Sequence, residues 1–155
     1  MTVAYYLAGS LVVLAAGGAG LGSSVRLTPG KQAPDTTITI RASSSTLEFT
    51  PTRVSAKAGT RLRIRFVNDG TLPHNVVVPK SDGDLDAIAL AAYAAGETGY
   101  VPMAMKDKLV GWTALASPGE SVEMTFLVPA AGEYTYVCLF PGHSNSMLGT
   151  LRALK

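Results

Sequence analysis

The stretch Arg61-Leu62-Arg63-Ile64-Arg65-Phe66 places an arginine at every odd position and an apolar residue at every even one. A period of two belongs to an extended chain with one face in water and the other in a core, because successive side chains of a strand point to opposite sides. The same rhythm runs through Thr37-Ile38-Thr39-Ile40-Arg41. Further strands are expected over residues 47–49, 76–78, 122–128, 133–138 and 149–154, separated by turn signals at Ala58-Gly59, Asp69-Gly70, Pro118-Gly119 and Ala131-Gly132. Seven short strands so spaced predict an all-β sandwich. Residues 85–93 (LDAIALAAY) break the pattern: they are rich in Ala and Leu and follow the potential caps Ser81, Asp82 and Asp84, which predicts one short helix inserted between strands.

A chain of 155 residues suits one domain and is long enough to bury a core without several disulfides. With 47% hydrophobic residues and a mean hydropathy of +0.25, it is more apolar than an ordinary soluble domain. The excess lies at one end. Residues 1–25 contain no Asp, Glu, Lys, Arg or His, and residues 3–14 are nearly all apolar or aromatic. This segment reads as a signal peptide or a membrane anchor. It is just long enough to span a bilayer core, which takes about 20 apolar residues, and the small residues Ala15 to Ser24 offer cleavage positions. Both readings put the remainder outside the cytoplasm, in the periplasm or on the outer face of the cell membrane. Residues 26–35 (RLTPGKQAPD) read as a linker, and residues 36–155 as the folded domain.

The net charge of +2 includes no basic cluster of the kind that phosphate backbones require, which argues against nucleic acid as a partner. Cys138 is the one cysteine and cannot form an intrachain disulfide. In an exported protein, a lone thiol points to an inert core residue, an intermolecular bond or a thiolate with a function.

The stretch Tyr134 to Gly149, YTYVCLFPGHSNSMLG, favours the functional thiolate. A strand ends at Cys138, and the following loop brings His143 and Met147 in the spacing Cys-x4-His-x3-Met. Thiolate and thioether suit Cu(I), and imidazole serves both oxidation states. Two histidines and a cysteine with a weak axial methionine make a blue-copper electron-transfer site. The chain has one other histidine, His74, in NDGTLPHNVVV after the strand at residues 61–68. The expected metal ligands are therefore His74, Cys138, His143 and Met147, holding one copper ion.

These stretches resemble the cupredoxins, and in the final loop the azurin and auracyanin group: CLFPGHSNSMLGTL is similar to the azurin ligand loop, and LEFTPTRVSAKAGTRLRIRFVNDGTLPHNVVV to the family's early strands and first ligand. The resemblance covers residues 36–155. It implies an eight-stranded Greek-key sandwich with copper at one end and a helix inserted where residues 85–93 lie. It also implies a weak contact to the metal from the Pro73 carbonyl, where azurins usually have glycine, and a role for Asn75 in tying the two ligand loops together. Two positions depart from the azurins: their disulfide cannot form here, and Leu139 stands where a threonine commonly follows the copper cysteine, which removes one usual partner of Asn75. The function implied is one-electron transport, without enzymatic activity, between redox partners such as cytochromes and membrane electron-transport complexes, with electrons passing the edge of His143.

Other readings fit less well. Asp82, Asp84 and Asp86 resemble the start of a calcium loop, but Ala87 and Tyr93 occupy the positions that need Gly and Glu. Multicopper oxidases and nitrite reductases need more histidines, and a Cys138–His143 hydrolase would leave Met147 unexplained. The remaining alternative is a copper-binding or copper-delivery protein of the same fold, for which Met103 and Met105 would be candidate open-site donors. Trp112, Tyr134 and Tyr136 are expected to pack in the core.

Overall fold

The computed structural model describes residues 33–155. The apolar segment 1–25 and most of the linker lie outside them. The described chain forms nine strands: β1 (Thr36–Ala42), β2 (Phe49–Thr50), β3 (Arg53–Lys57), β4 (Arg61–Asn68), β5 (Val77–Pro79), β6 (Leu109–Trp112), β7 (Ser121–Leu127), β8 (Gly132–Val137) and β9 (Leu148–Leu154). One α-helix, α1 (Leu85–Ala92), lies between β5 and β6. The strands build two sheets, in the orders β2-β1-β4-β7 and β3-β9-β8-β5-β6. The fold is thus the expected all-β sandwich with a short inserted helix.

The alternation in β4 produces the expected two-faced strand. Leu62, Ile64 and Phe66 are buried, while Arg61, Arg63 and Arg65 alternate with them on the outer face. β1 runs parallel to β4 and β7 antiparallel on its other side, which brings Ile40, Met124 and Phe126 onto the same inner face. There they meet Phe49, Tyr136 and Leu151 of the rest of the core. Burying each such side chain stabilises the fold by about 1.5–3 kcal/mol. The outward arginines contribute little, since the Arg63–Glu123 and Arg41–Asp69 pairs are solvent-exposed.

Two strands were not evident from the sequence. β3 (RVSAK) has only Val54 and Ala56 as its apolar residues, and β6 (LVGW) is short and contains glycine. The strand expected at 47–49 is confined to Phe49–Thr50, because Pro51 cannot donate to a ladder. There the chain changes sheet: β2 pairs with β1, and β3 pairs with β9. Counted as one broken strand, β2 and β3 give the eight strands that the family resemblance implies.

The inserted helix is held by packing and by polar ends. Ser81 caps the helical turn that precedes it, its Oγ accepting from the Gly83 N–H at 3.2 Å. Asp84 instead receives the Lys108 ammonium at 2.5 Å. Ile88 and Ala92 bury against Val77, Leu109, Val137 and Leu139, forming a second apolar cluster on the outer side of the five-stranded sheet. Trp112 packs against this cluster, and Tyr136 belongs to the main core.

β1 and β4 start together, where Asp35 exchanges two hydrogen bonds with Arg61, and end together at Ala42 and Asn68. At about 3.3 Å per residue, these ends lie roughly 20 Å apart. Buried Asn68 organises the second end. Its amide nitrogen donates to the carbonyls of Leu72 and Ala116, and its oxygen accepts from the Gly70 N–H. It thereby shapes the turn that delivers His74.

The β8–β9 pair contains the tightest packing constraint. Tyr136 sits opposite Gly149, its hydroxyl donates to the Pro51 carbonyl at 2.6 Å, and its ring occupies the space a Cβ at Gly149 would need. Gly149→Ala is therefore expected to cost about 2–3 kcal/mol through overpacking, seen as a lower urea midpoint with an unchanged slope. An unchanged midpoint would mean that the Tyr136 ring is free to swing away.

Candidate metal centre

Cys138 is the residue at which β8 gives way to a loop. Its N–H donates to the Met147 carbonyl at 3.1 Å, so the loop closes on itself where β9 begins. Between these points the chain turns tightly: His143 N–H donates to Phe140 O at 3.0 Å, and the His143 carbonyl accepts from the N–H groups of Ser146 and Met147. Pro141 fixes its own φ, and Gly142 supplies the left-handed conformation (φ 84°) that carries the chain round to His143.

His74 lies on the connection from β4 to β5, three residues before β5. It forms an isolated bridge with Ala116, its N–H donating at 3.0 Å and its carbonyl accepting at 2.8 Å. Because Asn68 bonds the same Ala116 carbonyl, the backbone of His74 is fixed from two sides.

The two segments bring three donor atoms together. His74 Nδ1 and His143 Nδ1 are 3.2 Å apart, and Cys138 Sγ is 3.7 Å and 3.6 Å from them. The centre of that triangle lies about 2.0 Å from each atom, close to ordinary imidazole and thiolate bond lengths for a first-row metal (~2.0–2.3 Å). All three residues are at most 4% exposed. Met147 is fully buried in the cluster that contains Cys138. Pro73 is half-buried immediately before His74. Met103 and Met105 stand apart: Met103 is 40% exposed, and Met105 packs against the second apolar cluster.

Burial sets the proton inventory. His74 is pushed down from 6.5 to about 4, first by desolvation and then by the neighbouring His143. Desolvation lowers His143 as well. It raises the Cys138 thiol to about 11, against the opposing effect of the backbone N–H groups of Asn75 and Phe140. At neutral pH the cluster therefore holds two neutral imidazoles and a protonated thiol. This donor set can give up one proton and close on a cation.

Asn75 joins the two ligand segments. Fully buried, it accepts from the Leu139 N–H at 2.8 Å and donates to the Gly99 carbonyl at 2.8 Å. The hydroxyl missing at position 139 thus leaves neither end of this side chain without a partner. Gly99, which the sequence reading did not single out, belongs to the helical insertion and carries no local motif that would mark it.

A model of copper-binding proteins of the plastocyanin/azurin family matches residues 36–153. Auracyanin-A of Chloroflexus aurantiacus is 36% identical over 154 residues, covering 97% of this chain and 94% of that protein. Auracyanin-B of the same organism is 38% identical over 124 residues, covering 77% of this chain; the chain spans about half of that relative's length (53%). The solved structure of auracyanin A, described as a "blue" copper protein, superposes with a TM-score of 0.71 at 36% identity, covering 76% of this chain and 98% of that one.

The metal-free protein should lose stability in acid in a way that involves His74. An unfolded histidine takes up its proton near 6.5, whereas the native one stays neutral down to about 4. Between these values the unfolded state binds more protons, so stability falls as pH falls, for this residue by at most about 3 kcal/mol. Urea titrations from pH 7 to pH 4 should show a smaller decline in His74→Gln than in the parent. An equal decline in both proteins would contradict the assignment.

Proposed function

The chain belongs to the plastocyanin/azurin family of copper-binding proteins, and from that premise we propose that it is a blue-copper one-electron carrier. His74 Nδ1, His143 Nδ1 and Cys138 Sγ would hold one copper ion, with Met147 and the Pro73 carbonyl as further weak contacts. The observation that carries this reading is the buried triangle of two imidazole nitrogens and one sulfur, sized for a single first-row ion.

Copper supplies the redox chemistry, gaining and losing one electron. The chain supplies a cage that favours neither oxidation state by geometry alone. The imidazoles are neutral at working pH, and Cys138 gives up its thiol proton on loading. Asn75 and the backbone bonds of the 138–147 loop fix the donors, so little rearrangement accompanies transfer. Met147 is buried and Phe140 and Pro141 are half-buried around the site, limiting access of water, whereas Leu139 packs into the second apolar cluster instead. His143, 4% exposed beside Gly142 at the surface, is the proposed point of electron entry and exit.

The proposed partners are cytochromes and membrane electron-transport complexes, met outside the cytoplasm, with residues 1–25 as export signal or anchor. Residues 33–35 lead into β1 at the end of the sandwich opposite His74. A tether attached there leaves the ligand loops free to face a partner, at a raised effective concentration. No helix among the described residues is long and apolar enough to cross a membrane.

The visible spectrum of the Cu(II)-loaded protein tests the reading. An intense thiolate-to-copper band, absent from Cys138→Ser, is the expected result. A colourless protein that binds copper weakly would contradict the electron-carrier reading and favour copper delivery.

A further inference from the structure

Two consecutive residues of the helical insertion adopt the left-handed backbone conformation: Gly99 (φ 66°) and Tyr100 (φ 64°), the latter the one non-glycine residue with positive φ among the described residues. For a bulky aromatic residue this conformation is strained, and it persists where the surroundings fix it. Several contacts do so. The Tyr100 N–H donates to the Ala95 carbonyl at 2.8 Å, and Thr98 Oγ1 bridges the carbonyls of Ala95 and Val101. Gly99 passes so close to Leu115 that an added Cβ would lie 3.1 Å from the Leu115 Cβ.

The hook formed by these two residues reaches both ligand segments. The Gly99 carbonyl accepts from the amide of Asn75, the residue after His74. The Tyr100 ring meets Phe140 nearly perpendicularly, with centroids 5.2 Å apart and an interplanar angle of 75°. Phe140 in turn lies against the His143 imidazole, with centroids 4.9 Å apart and an angle of 48°. Phe140 is therefore held between Tyr100 and His143. An edge-to-face aromatic contact constrains ring orientation as well as position.

We infer that Tyr100 is a positioning residue for the metal centre, its strained backbone presenting a ring that holds Phe140 against His143. The helical insertion then has a defined purpose: through Gly99 and Tyr100 it clamps the two ligand segments, one leading into β5 and the other following β8. The phenol hydroxyl has no part in this contact, so phenylalanine should substitute for tyrosine at position 100. This inference rests on the copper-carrier reading for its consequence, but the clamp itself is a property of the metal-free chain.

The test uses Tyr100→Gly and Tyr100→Asn, which remove the ring while tolerating left-handed backbone, together with Tyr100→Phe, which keeps the ring. In the metal-free protein, NMR should show loss of the nuclear Overhauser contacts between the Phe140 ring and the His143 imidazole in the Gly and Asn variants, and their retention in Tyr100→Phe. In the copper-loaded protein, the reduction potential should shift in the same two variants and return to the parent value in Tyr100→Phe. Persistence of the Phe140–His143 contacts in whichever of the Gly and Asn variants folds would overturn the inference. So would a lasting contact loss that leaves the potential unmoved. A parent protein without the blue band would refute the carrier function, while the metal-free NMR comparison would still decide the clamp.

Discussion

The structure depends on holding three polar donor atoms within 3.7 Å of one another in a site almost closed to water. Left alone, such a cluster is unfavourable, because burial strips its groups of hydration and the nitrogens face each other without an intervening charge. The protein meets this cost by keeping the groups uncharged: both imidazoles are pushed toward their neutral form, and the thiol toward its protonated form. The same shifts leave the imidazole lone pairs available, which is what a metal ligand requires.

The rest of the fold supplies rigidity to that cluster. His74 lies just before β5 and Cys138 just after β8, adjacent strands of one sheet, so their register rests on that pairing and on the bonds that fix each loop. Asn68 fixes the turn before His74 and the Ala116 backbone beside it. Asn75 spans from the His74 segment to Leu139 on one side and Gly99 on the other. Below them, Phe49, Phe66 and Tyr136 interlock in the core, with Phe49 meeting Phe66 edge-on and Tyr136 at a tilt. A well-packed interior of this kind transmits little deformation to the site.

What could be read from the sequence divides along physical lines. β1 and β4 were legible because one face of each is buried and one is solvated, which writes alternation directly into the residues. The cluster of His74, Cys138 and His143 was legible because Cys138 and His143 are local in sequence and His74 is the one other histidine. β3 and β6 were not, since small or few apolar residues satisfy their short buried faces. Asn68 and the Gly99–Tyr100 hook were also hidden. Their roles come from long-range hydrogen bonds and from a backbone conformation that tyrosine gives no sign of adopting. The Leu139 departure illustrates the same limit, because the partner of Asn75 at that position is a backbone N–H, which any residue other than proline provides.

X-ray absorption at the copper edge, recorded for the oxidised and the reduced protein, tests most directly whether this is a rigid cage built for electron transfer. The oxidised and reduced protein should share one inner shell, two nitrogens and one sulfur with no ligand gained or lost. A shell that loses an imidazole on reduction, or that contains oxygen or nitrogen in place of sulfur in the oxidised form, would contradict it.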